Sequence, residues 1–308
     1  EGDIFVTDEK RVKVFYKNGK EKRIIGRPGQ GPGEFLSAQN PVLNNEGILS
    51  VRNKTEFSIF NKNFSFSKNI DIRFDPRYNV FKDDRPSSLT ENKLLVLNQD
   101  EWIVNFTLSL LVNRMNQHII TVLVFDNGKN LHTLSLHEIQ FVQEGILIPN
   151  RGNIYWGYLP DNSIIYTHTR FDRHTEDGAH YYDLHVFSPG SEKKTIICHA
   201  YKPVEVQERS INVFKKKPEY LKKDPFYPPL NGFLVDNTTI FAFTYSKNET
   251  EEILTDILDA FEGKYISSAY FPWIPDCIKN GYAYRIAKNK EGFDVVEKYR
   301  IDPAVYGK

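Results

Sequence analysis

A short strand-like run that ends near an aromatic residue and a polar turn recurs six times along this 308-residue chain. The six anchor aromatics lie roughly 57 residues apart on average, which is the length of one supersecondary unit in a repeat protein. They are Phe15, Phe60, Phe125, Phe187, Phe261 and Tyr299. This period constrains the fold strongly, because each unit must be built from the same few elements.

A second element, a polar turn followed by an apolar pair, precedes every anchor. Its copies lie at 2–5, 46–49, 92–95, 162–165, 238–241 and 280–283. The runs alternate apolar and polar residues, which is typical of half-buried strands. In the first unit Val12, Val14 and Tyr16 share one face, and Asn18-Gly19 predicts a hairpin turn into the next strand.

Six paired elements in the same order predict an all-β fold, a six-bladed β-propeller with blades of three to four antiparallel strands. We expect a single domain over residues 1–308, with blades at 1–35, 36–84, 85–150, 151–212, 213–272 and 273–308. The alternative is a large β-sandwich whose hairpins recur without rotational symmetry. Residues 251–261 carry apolar side chains at helical spacing, but the repeat predicts a strand there, with Ile253, Ile257 and Phe261 on one face.

The charge balance excludes some partners. Forty basic residues against forty acidic residues give no net positive field, so nucleic acid is not an expected partner. No apolar stretch reaches the roughly 18 residues that a spanning helix needs, so the sequence predicts no transmembrane segment. Two cysteines are too few to define a redox compartment.

Residues 23–41 read RIIGRPGQGPGEFLSAQNP, a strand followed by a glycine-rich loop, then Phe35 and Pro41. This segment resembles the NHL-type repeat of six-bladed propellers, and residues 227–300 also resemble exported bacterial six-bladed propeller proteins of unknown function. The resemblance implies the fold and export to the periplasm, the cell surface or the extracellular space. It implies no reaction. Five Asn-x-Ser/Thr sequons are in keeping with export; they begin at Asn53, Asn63, Asn105, Asn237 and Asn248.

The sequence opens at Glu1 in a turn and continues directly into a strand-like run, so we expect a processed or trimmed chain. In the propellers that it resembles, the last blade is commonly completed by a strand from the chain start. An edge left open by a missing strand would permit strand addition from another molecule.

Histidine and carboxylate residues concentrate between residues 168 and 185, which hold four of the eight histidines. Imidazole and carboxylate groups together suit zinc or another divalent cation. The candidate metal ligands are His168, Asp172, His174, Asp177 and His180. A polar hairpin explains the same residues without a metal, so we expect no cofactor, with a divalent cation as the alternative.

Aromatic residues could line a ligand-binding mouth, and packing between blades is the alternative explanation. The candidate ligand-binding residues are Trp102, Trp156, Tyr158 and Arg170. No catalytic residue is predicted, because the chain has no G-x-S-x-G pentapeptide and its cysteines fit small buried positions. The loop at 26–33 lacks the Gly-Lys-Ser/Thr ending of a phosphate-binding loop, which favours an inter-blade turn.

These observations predict a binding scaffold rather than an enzyme. It would recognise a protein, peptide or glycan through an axial face or a sheet edge. Two alternatives remain open, since a fold does not determine a function. One is a metal-dependent propeller hydrolase, lyase or lactonase, and the other is a structural subunit that self-associates by strand addition.

Overall fold

The computed structural model describes residues 2–78, 88–113, 116–142, 146–147, 152–206 and 224–307. These residues form 24 β-strands and two short 3₁₀ helices, at Pro76–Tyr78 and Pro303–Tyr306. No helix among them is long and apolar enough to cross a membrane. The chain divides into two compact units, Glu1–Asn150 and Arg151–Lys308.

The first unit contains three antiparallel sheets. Sheet 1 consists of β1 (Ile4–Asp8), β2 (Arg11–Phe15) and β3 (Glu21–Ile25). Sheet 2 consists of β4 (Ala38–Leu43), β5 (Leu49–Asn53), β6 (Glu56–Phe60) and β7 (Phe66–Ile70). Sheet 3 consists of β8 (Ser88–Val96), β9 (Trp102–Asn113), β10 (Asn116–Asp126), β11 (Leu131–Val142) and β12 (Ile146–Leu147).

The second unit contains three more antiparallel sheets. Sheet 4 consists of β13 (Ile154–Tyr158), β14 (Ile164–His168), β15 (Arg173–Glu176), β16 (Ala179–Ser188) and β17 (Lys193–Tyr201). Sheet 5 consists of β18 (Leu230–Asp236), β19 (Thr239–Lys247), β20 (Ile253–Asp259) and β21 (Lys264–Phe271). Sheet 6 consists of β22 (Cys277–Lys279), β23 (Tyr282–Lys288) and β24 (Asp294–Arg300).

Strands pair with their chain neighbours in every sheet except sheet 4. There the long strand β16 pairs with β17 along one side, while β14 and β15 share its other side. The second half of β16 pairs with β14 and the first half pairs with the short hairpin strand β15. Three strands therefore lie side by side at β15, β16 and β17, and their side chains meet on both faces.

Local sequence explains the hairpins. In β2 the alternating Val12 and Val14 are fully buried, and the following turn closes with Gly19 in the left-handed region at φ 82°. The Gly19 amide donates to the Tyr16 carbonyl at 2.8 Å. This is the turn that the Asn-Gly pair predicts.

Each unit has its own buried apolar clusters. In the first unit, one cluster joins sheets 2 and 3 around Phe57, Phe106 and Tyr78, and another joins sheets 1 and 2 around Val14, Phe35 and Leu49. In the second unit, clusters join sheet 4 to sheet 5 and sheet 5 to sheet 6.

The six sheets confirm the predicted six-bladed β-propeller, with one difference in detail. Sheets 3 and 4 have five strands each, whereas three to four were predicted, because β12 and the hairpin strand β15 add to the basic unit. The expected blade boundaries after residues 84, 150 and 212 lie outside the described residues.

The segment with helical spacing is strand β20, as the repeat predicts. Four consecutive residues of this strand, Thr255, Asp256, Ile257 and Leu258, are buried. Because neighbouring residues of a strand point to opposite faces, β20 is buried on both faces. The prediction for Phe261 was wrong, since it follows the strand in a turn and its side chain is exposed.

Candidate functional site

The predicted ligand-binding residues are divided between the two units. Trp102 opens β9 in the first unit, where its indole Nε1 donates to the Tyr78 hydroxyl at 2.9 Å and its ring packs on the core. Trp156 and Tyr158 lie half-buried on β13 in the second unit, and burial raises the pKa of Tyr158 to about 12. Arg170 lies in the turn after β14, with its guanidinium 5.8 Å from the Phe171 ring centre.

The predicted metal ligands do not gather around one point. Asp172 accepts a hydrogen bond from the His168 backbone N at 2.6 Å, and it lies 3.2 Å from Nε2 of His185. In the strand register His174 pairs with Tyr181, and the next residue, Thr175, pairs with His180. Paired residues share a face and consecutive residues alternate, so the two imidazoles lie on opposite faces of the hairpin. Asp177 lies exposed in the turn between them, with φ 48°.

A different group of donors meets on the exposed face of sheet 4. His174 on β15, Asp183 on β16 and Cys198 on β17 each offer one donor atom, all within 4.8 Å of one another. His174 Nδ1 lies 3.2 Å from Asp183 Oδ2, and Cys198 Sγ lies 4.0 Å from His174 Nε2. Asp183 and Cys198 stand directly opposite each other in the strand register. We call this group the sheet 4 donor cluster.

The chemistry of this cluster does not favour a thiol nucleophile. Burial and the neighbouring Asp183 carboxylate raise the pKa of Cys198 to about 11, and the charge of Glu176 acts in the same direction. A reactive cysteine needs a lowered pKa, because the thiolate is the nucleophile. Donors of this type at this spacing suit instead a cation that accepts nitrogen, oxygen and sulfur ligands.

The opposite face of sheet 4 holds a second carboxylate, which is buried. Asp256 on β20 accepts a hydrogen bond from Ser268 Oγ at 2.9 Å, and the Tyr182 hydroxyl donates to it at 3.3 Å. Nε2 of His199 lies 3.7 Å away. Burial raises the pKa of Asp256 and lowers the pKa of His199. This polar group is enclosed between sheets 4 and 5, so it serves their packing.

Exposed apolar side chains concentrate towards the end of the second unit. Seven of the fourteen exposed large hydrophobic residues in the described part of the chain lie between residues 261 and 299. They are Phe261, Tyr265, Tyr270, Ile286, Phe293, Val296 and Tyr299. Ile286 and Val296 stand directly opposite each other in the strand register, so these two form one exposed apolar pair on a face of sheet 6.

Sheet 6 places aromatic and charged groups on both of its faces. On one face the Arg285 guanidinium lies 4.7 Å from the Trp273 ring centre and 5.5 Å from that of Tyr299. Glu297 accepts hydrogen bonds there from Arg285 Nε at 2.6 Å and from the Tyr299 hydroxyl at 2.7 Å. On the other face, the Lys298 ammonium lies 4.0 Å from the Tyr282 ring centre.

The outer edge of β24 has no strand partner among the described residues. The Asn289 N donates to the Phe293 carbonyl and the Ile301 N donates to the Gly281 carbonyl, each at 2.9 Å. These bonds bracket β24 and, because an antiparallel ladder alternates, they direct the odd-numbered backbone groups towards β23. The N–H and C=O groups of Asp294, Val296, Lys298 and Arg300 therefore point away from the sheet.

A cavity of about 470 Å³ opens beside this strand, between sheets 5 and 6. Its lining includes Asp236, Asp259, Tyr282, Arg300 and Tyr306. The Asp236 carboxylate accepts the Asn280 and Gly281 backbone N–H groups at 2.8 Å and the Tyr306 hydroxyl at 2.9 Å, so it holds the wall together. Arg300 is thus shared between the cavity and the outer edge of β24.

The sequence predicted neither the sheet 4 donor cluster nor the outer edge of β24. Asp183 stands within the histidine-rich segment, but its proximity to His174 and Cys198 depends on strand register, which composition does not reveal. Cys198 was expected to be buried, and the structure places its side chain on the exposed face of an edge strand. For β24 the available signal was a run that alternates without an apolar face, with Asp294, Glu297 and Lys298 among its residues.

Residues 1–87 match the model of the family DUF5128, described as a 6-bladed beta-propeller. No curated protein matches the chain. Among solved structures, the chain is similar to a proposed exported protein of Bacteroides fragilis, with 12% identity, a TM-score of 0.41, and coverage of 98% of this chain and 88% of that one. It is also similar to a gluconolactonase of Xanthomonas campestris, with 10% identity, a TM-score of 0.42, and coverage of 92% and 78%.

A third solved structure, of a puromycin hydrolase, shares 15% identity with a TM-score of 0.38, over 95% of this chain and 40% of that one. Likenesses with identities and TM-scores this low carry no argument about this chain. The six antiparallel sheets, together with the family match over the first 87 residues, identify the chain as a six-bladed β-propeller.

Proposed function

We propose that this protein is a non-catalytic binding module that recognises an extended peptide segment of a partner protein by strand addition to β24. The observation that carries the proposal is the outer edge of that strand. Asp294, Val296 and Arg300 direct their backbone N–H and C=O groups away from the sheet, and no described strand pairs with them. Such an edge can act as a template for another chain.

In strand addition, the backbone and the side chains of the bound segment have different roles. Main-chain hydrogen bonds supply affinity, and alternate side chains of the bound segment supply specificity on the two faces of the sheet. Both faces of sheet 6 offer contacts beside β24. One face carries the Trp273, Arg285 and Tyr299 group, and the other carries the exposed pair Ile286 and Val296.

The side chains of β24 indicate the chemistry of the partner segment. Val296, Lys298 and Arg300 follow one another on the same face, so a segment added to this edge would meet one apolar and two basic side chains. We therefore propose a segment with acidic residues opposite Lys298 and Arg300 and an apolar residue opposite Val296. The cavity beside Arg300 could receive one side chain of that segment.

A glycan is the competing ligand class for the exposed aromatic residues. It would contact side chains and would be indifferent to the backbone N–H of Val296, so one experiment separates the two ligand classes. We also propose export, to the periplasm, the cell surface or the extracellular space, on the strength of the sequence resemblance.

The test compares two substitutions at one position. Val296→Pro removes one outward N–H while leaving the pairing with β23 intact, and proline is tolerated on sheet edges. Val296→Ala is the control, because it shortens the same side chain but keeps the N–H. Peptides with the pattern acidic-x-acidic-x-valine, and peptides selected from a random displayed library, are titrated by fluorescence anisotropy.

We expect binding in the micromolar range, weakened about tenfold or more by Val296→Pro and only about threefold by Val296→Ala. Thermal melts must show that both variants are folded. Equal binding by the proline variant, or unchanged binding of peptides N-methylated at alternate positions, would contradict strand addition. Failure of the whole library to bind would overturn the proposed function.

A further inference from the structure

The sheet 4 donor cluster is independent of β24, since it lies on different strands and uses different chemistry. It brings together an imidazole, a carboxylate and a thiol on three adjacent strands. All three belong to the exposed face of the sheet, because His174 stands opposite Tyr181, which shares a face with Asp183, and Asp183 stands opposite Cys198. A cation could reach this face directly from solvent.

The distances within the cluster suit a small tetrahedral ion. Zinc binds nitrogen and oxygen ligands at about 2.0–2.2 Å and sulfur at about 2.3 Å, so neighbouring ligand atoms lie roughly 3.2–3.8 Å apart. His174 Nδ1 and Asp183 Oδ2 are already 3.2 Å apart. The 4.0 Å contact of Cys198 Sγ is with the other ring nitrogen, Nε2, so coordination of one ion requires rotation of the exposed Cys198 side chain. One ligand atom from each of the three residues already lies within 4.8 Å of the others.

The cluster is held in position by its surroundings. The His174 ring stacks on Tyr181 with 5.2 Å between ring centres and 12° between planes, which fixes the direction of its nitrogen atoms. Asp183 and Cys198 are opposite residues of a continuous antiparallel pair that extends over nine residues of each strand. Preorganisation of this kind lowers the cost of gathering ligands around a metal ion.

A Cys-His-Asp nucleophile is the other arrangement that these residue types suggest. In such a site the imidazole lies between the thiol and the carboxylate, and His174 does direct Nδ1 towards Asp183 and Nε2 towards Cys198. Here the Asp183 carboxylate itself contacts the Cys198 thiol, and an unbalanced negative charge beside a thiol opposes thiolate formation. A divalent cation reverses this opposition, because it attracts both groups.

We propose that His174, Asp183 and Cys198 bind one zinc ion, with a fourth position open to water. Three protein ligands and one open position satisfy the tetrahedral preference of zinc. The Glu176 carboxylate lies close enough to Cys198 to add to the negative potential of the site. Of the metal ligands predicted from the sequence, only His174 belongs to this set.

The experiment uses the full chain, stripped with a chelator and titrated with zinc alone by calorimetry and with cobalt by absorption. We expect one ion per chain, a dissociation constant of about 1 µM or lower, and a thiolate-to-cobalt charge-transfer band in the near ultraviolet. Cys198→Ser and His174→Gln should each weaken zinc binding by about 100-fold or more and abolish or diminish that band.

Two control variants match these changes. Cys277→Ser removes the other thiol, and His180→Gln removes an imidazole from the opposite face of the same hairpin, so both should bind zinc like the unaltered chain. Loss of the cobalt band in Cys277→Ser but not in Cys198→Ser would overturn the proposal. So would a chain that stays free of zinc at millimolar concentration.

A second measurement does not depend on altering a ligand. In the Cys277→Ser background, Cys198 is the remaining cysteine, and its alkylation rate can be followed with and without zinc. Zinc should slow the reaction by about tenfold or more, because a coordinated thiolate is shielded from the reagent. An unchanged rate under saturating zinc would contradict coordination by Cys198.

Discussion

At the scale of single residues, the buried Asp126 in the first unit accepts several hydrogen bonds from side chains. Arg77 donates two hydrogen bonds to it at 3.0 and 3.1 Å, and the buried Tyr78 hydroxyl donates a third at 2.7 Å. Asp126→Asn removes the charge that these donors surround. We expect a loss of about 3 kcal/mol in the free energy of unfolding, measured by urea denaturation, since the amide N–H groups of an asparagine would face buried donors and leave at least one of them without an acceptor.

Asp75 provides the comparison, because it also accepts hydrogen bonds from Arg77 but is partly exposed to solvent. Asp75→Asn should cost less than about 1 kcal/mol, as most exposed ion pairs contribute little. Equal losses for the two variants would show that the burial of Asp126 does not determine how much its substitution lowers the free energy of unfolding. The contact between Arg77 and Asp126 could not be predicted from the sequence. The two residues are 49 positions apart and meet only through the packing of sheet 3.

Another residue, His168, makes stability depend on pH. Its Nδ1 accepts hydrogen bonds from the Arg170 and Phe171 backbone N–H groups at 3.3 Å, so the ring is held in its neutral form. Burial lowers the pKa of His168 below its ordinary value of 6.5. As pH falls, the unfolded chain therefore binds this proton before the folded chain does. The stability that the neutral His168 ring contributes is complete above about pH 6.5 and decreases as pH falls below that value.

We expect urea midpoints measured from pH 7.5 down to pH 5 to decrease less steeply in His168→Gln than in the unaltered chain. His180→Gln is the control, because that ring is half exposed and lies on the hairpin. If His168→Gln kept the full acid dependence, or if His180→Gln reduced it equally, the neutral buried imidazole would not be its source.

At the scale of elements, two glycine turns of sheet 1 separate backbone strain from steric conflict. Gly26 has φ 72°, and a Cβ added there would lie 2.2 Å from the buried ring of Phe35. Gly19 has φ 82°, but a Cβ added there would meet nothing within 4 Å. Gly19→Ala should cost about 1 kcal/mol from strain alone, and Gly26→Ala about 3 kcal/mol, since overpacking adds to the strain.

Chemical denaturation of both alanine variants tests this difference. Similar losses would mean that the Phe35 ring moves aside without cost. The glycine-rich loop that follows Gly26 is organised from within, because Glu34 accepts hydrogen bonds from Gly31 N at 2.8 Å and from Arg27 Nε at 2.7 Å. A carboxylate at this position gives the loop a structural explanation, in keeping with the predicted inter-blade turn.

Most strands could be predicted from the sequence because alternation and turn residues are local signals. The repeat even corrected a misleading local pattern at β20, where apolar residues fall at helical spacing. Strand register is different, since it depends on which hairpins face each other in space. This explains why the added strand β15 and the meeting of His174 with Asp183 and Cys198 escaped sequence reasoning.

At the scale of the whole molecule, the sixfold repeat predicted the fold because each unit repeats the same turn and apolar pair. It did not predict the candidate binding surface, because the outer edge of β24 is defined by the absence of a neighbouring described strand. The anchor Tyr299 illustrates this: the repeat placed it in a strand, but its ring is exposed beside Trp273 and Arg285 instead of buried.

Self-association through the outer edge of β24 should be limited by symmetry. Two copies of β24 can pair antiparallel about Val296, with Asp294 of each copy opposite Lys298 of the other, and this two-fold contact uses both edges and closes. The chain has no net charge and an isoelectric point of about 7.3, so mutual repulsion is smallest near neutral pH. We expect sedimentation velocity at this pH to detect monomers and at most dimers up to about 100 µM, and only monomers for Val296→Pro. Continuous growth with concentration would contradict a closing contact and favour the structural-subunit alternative.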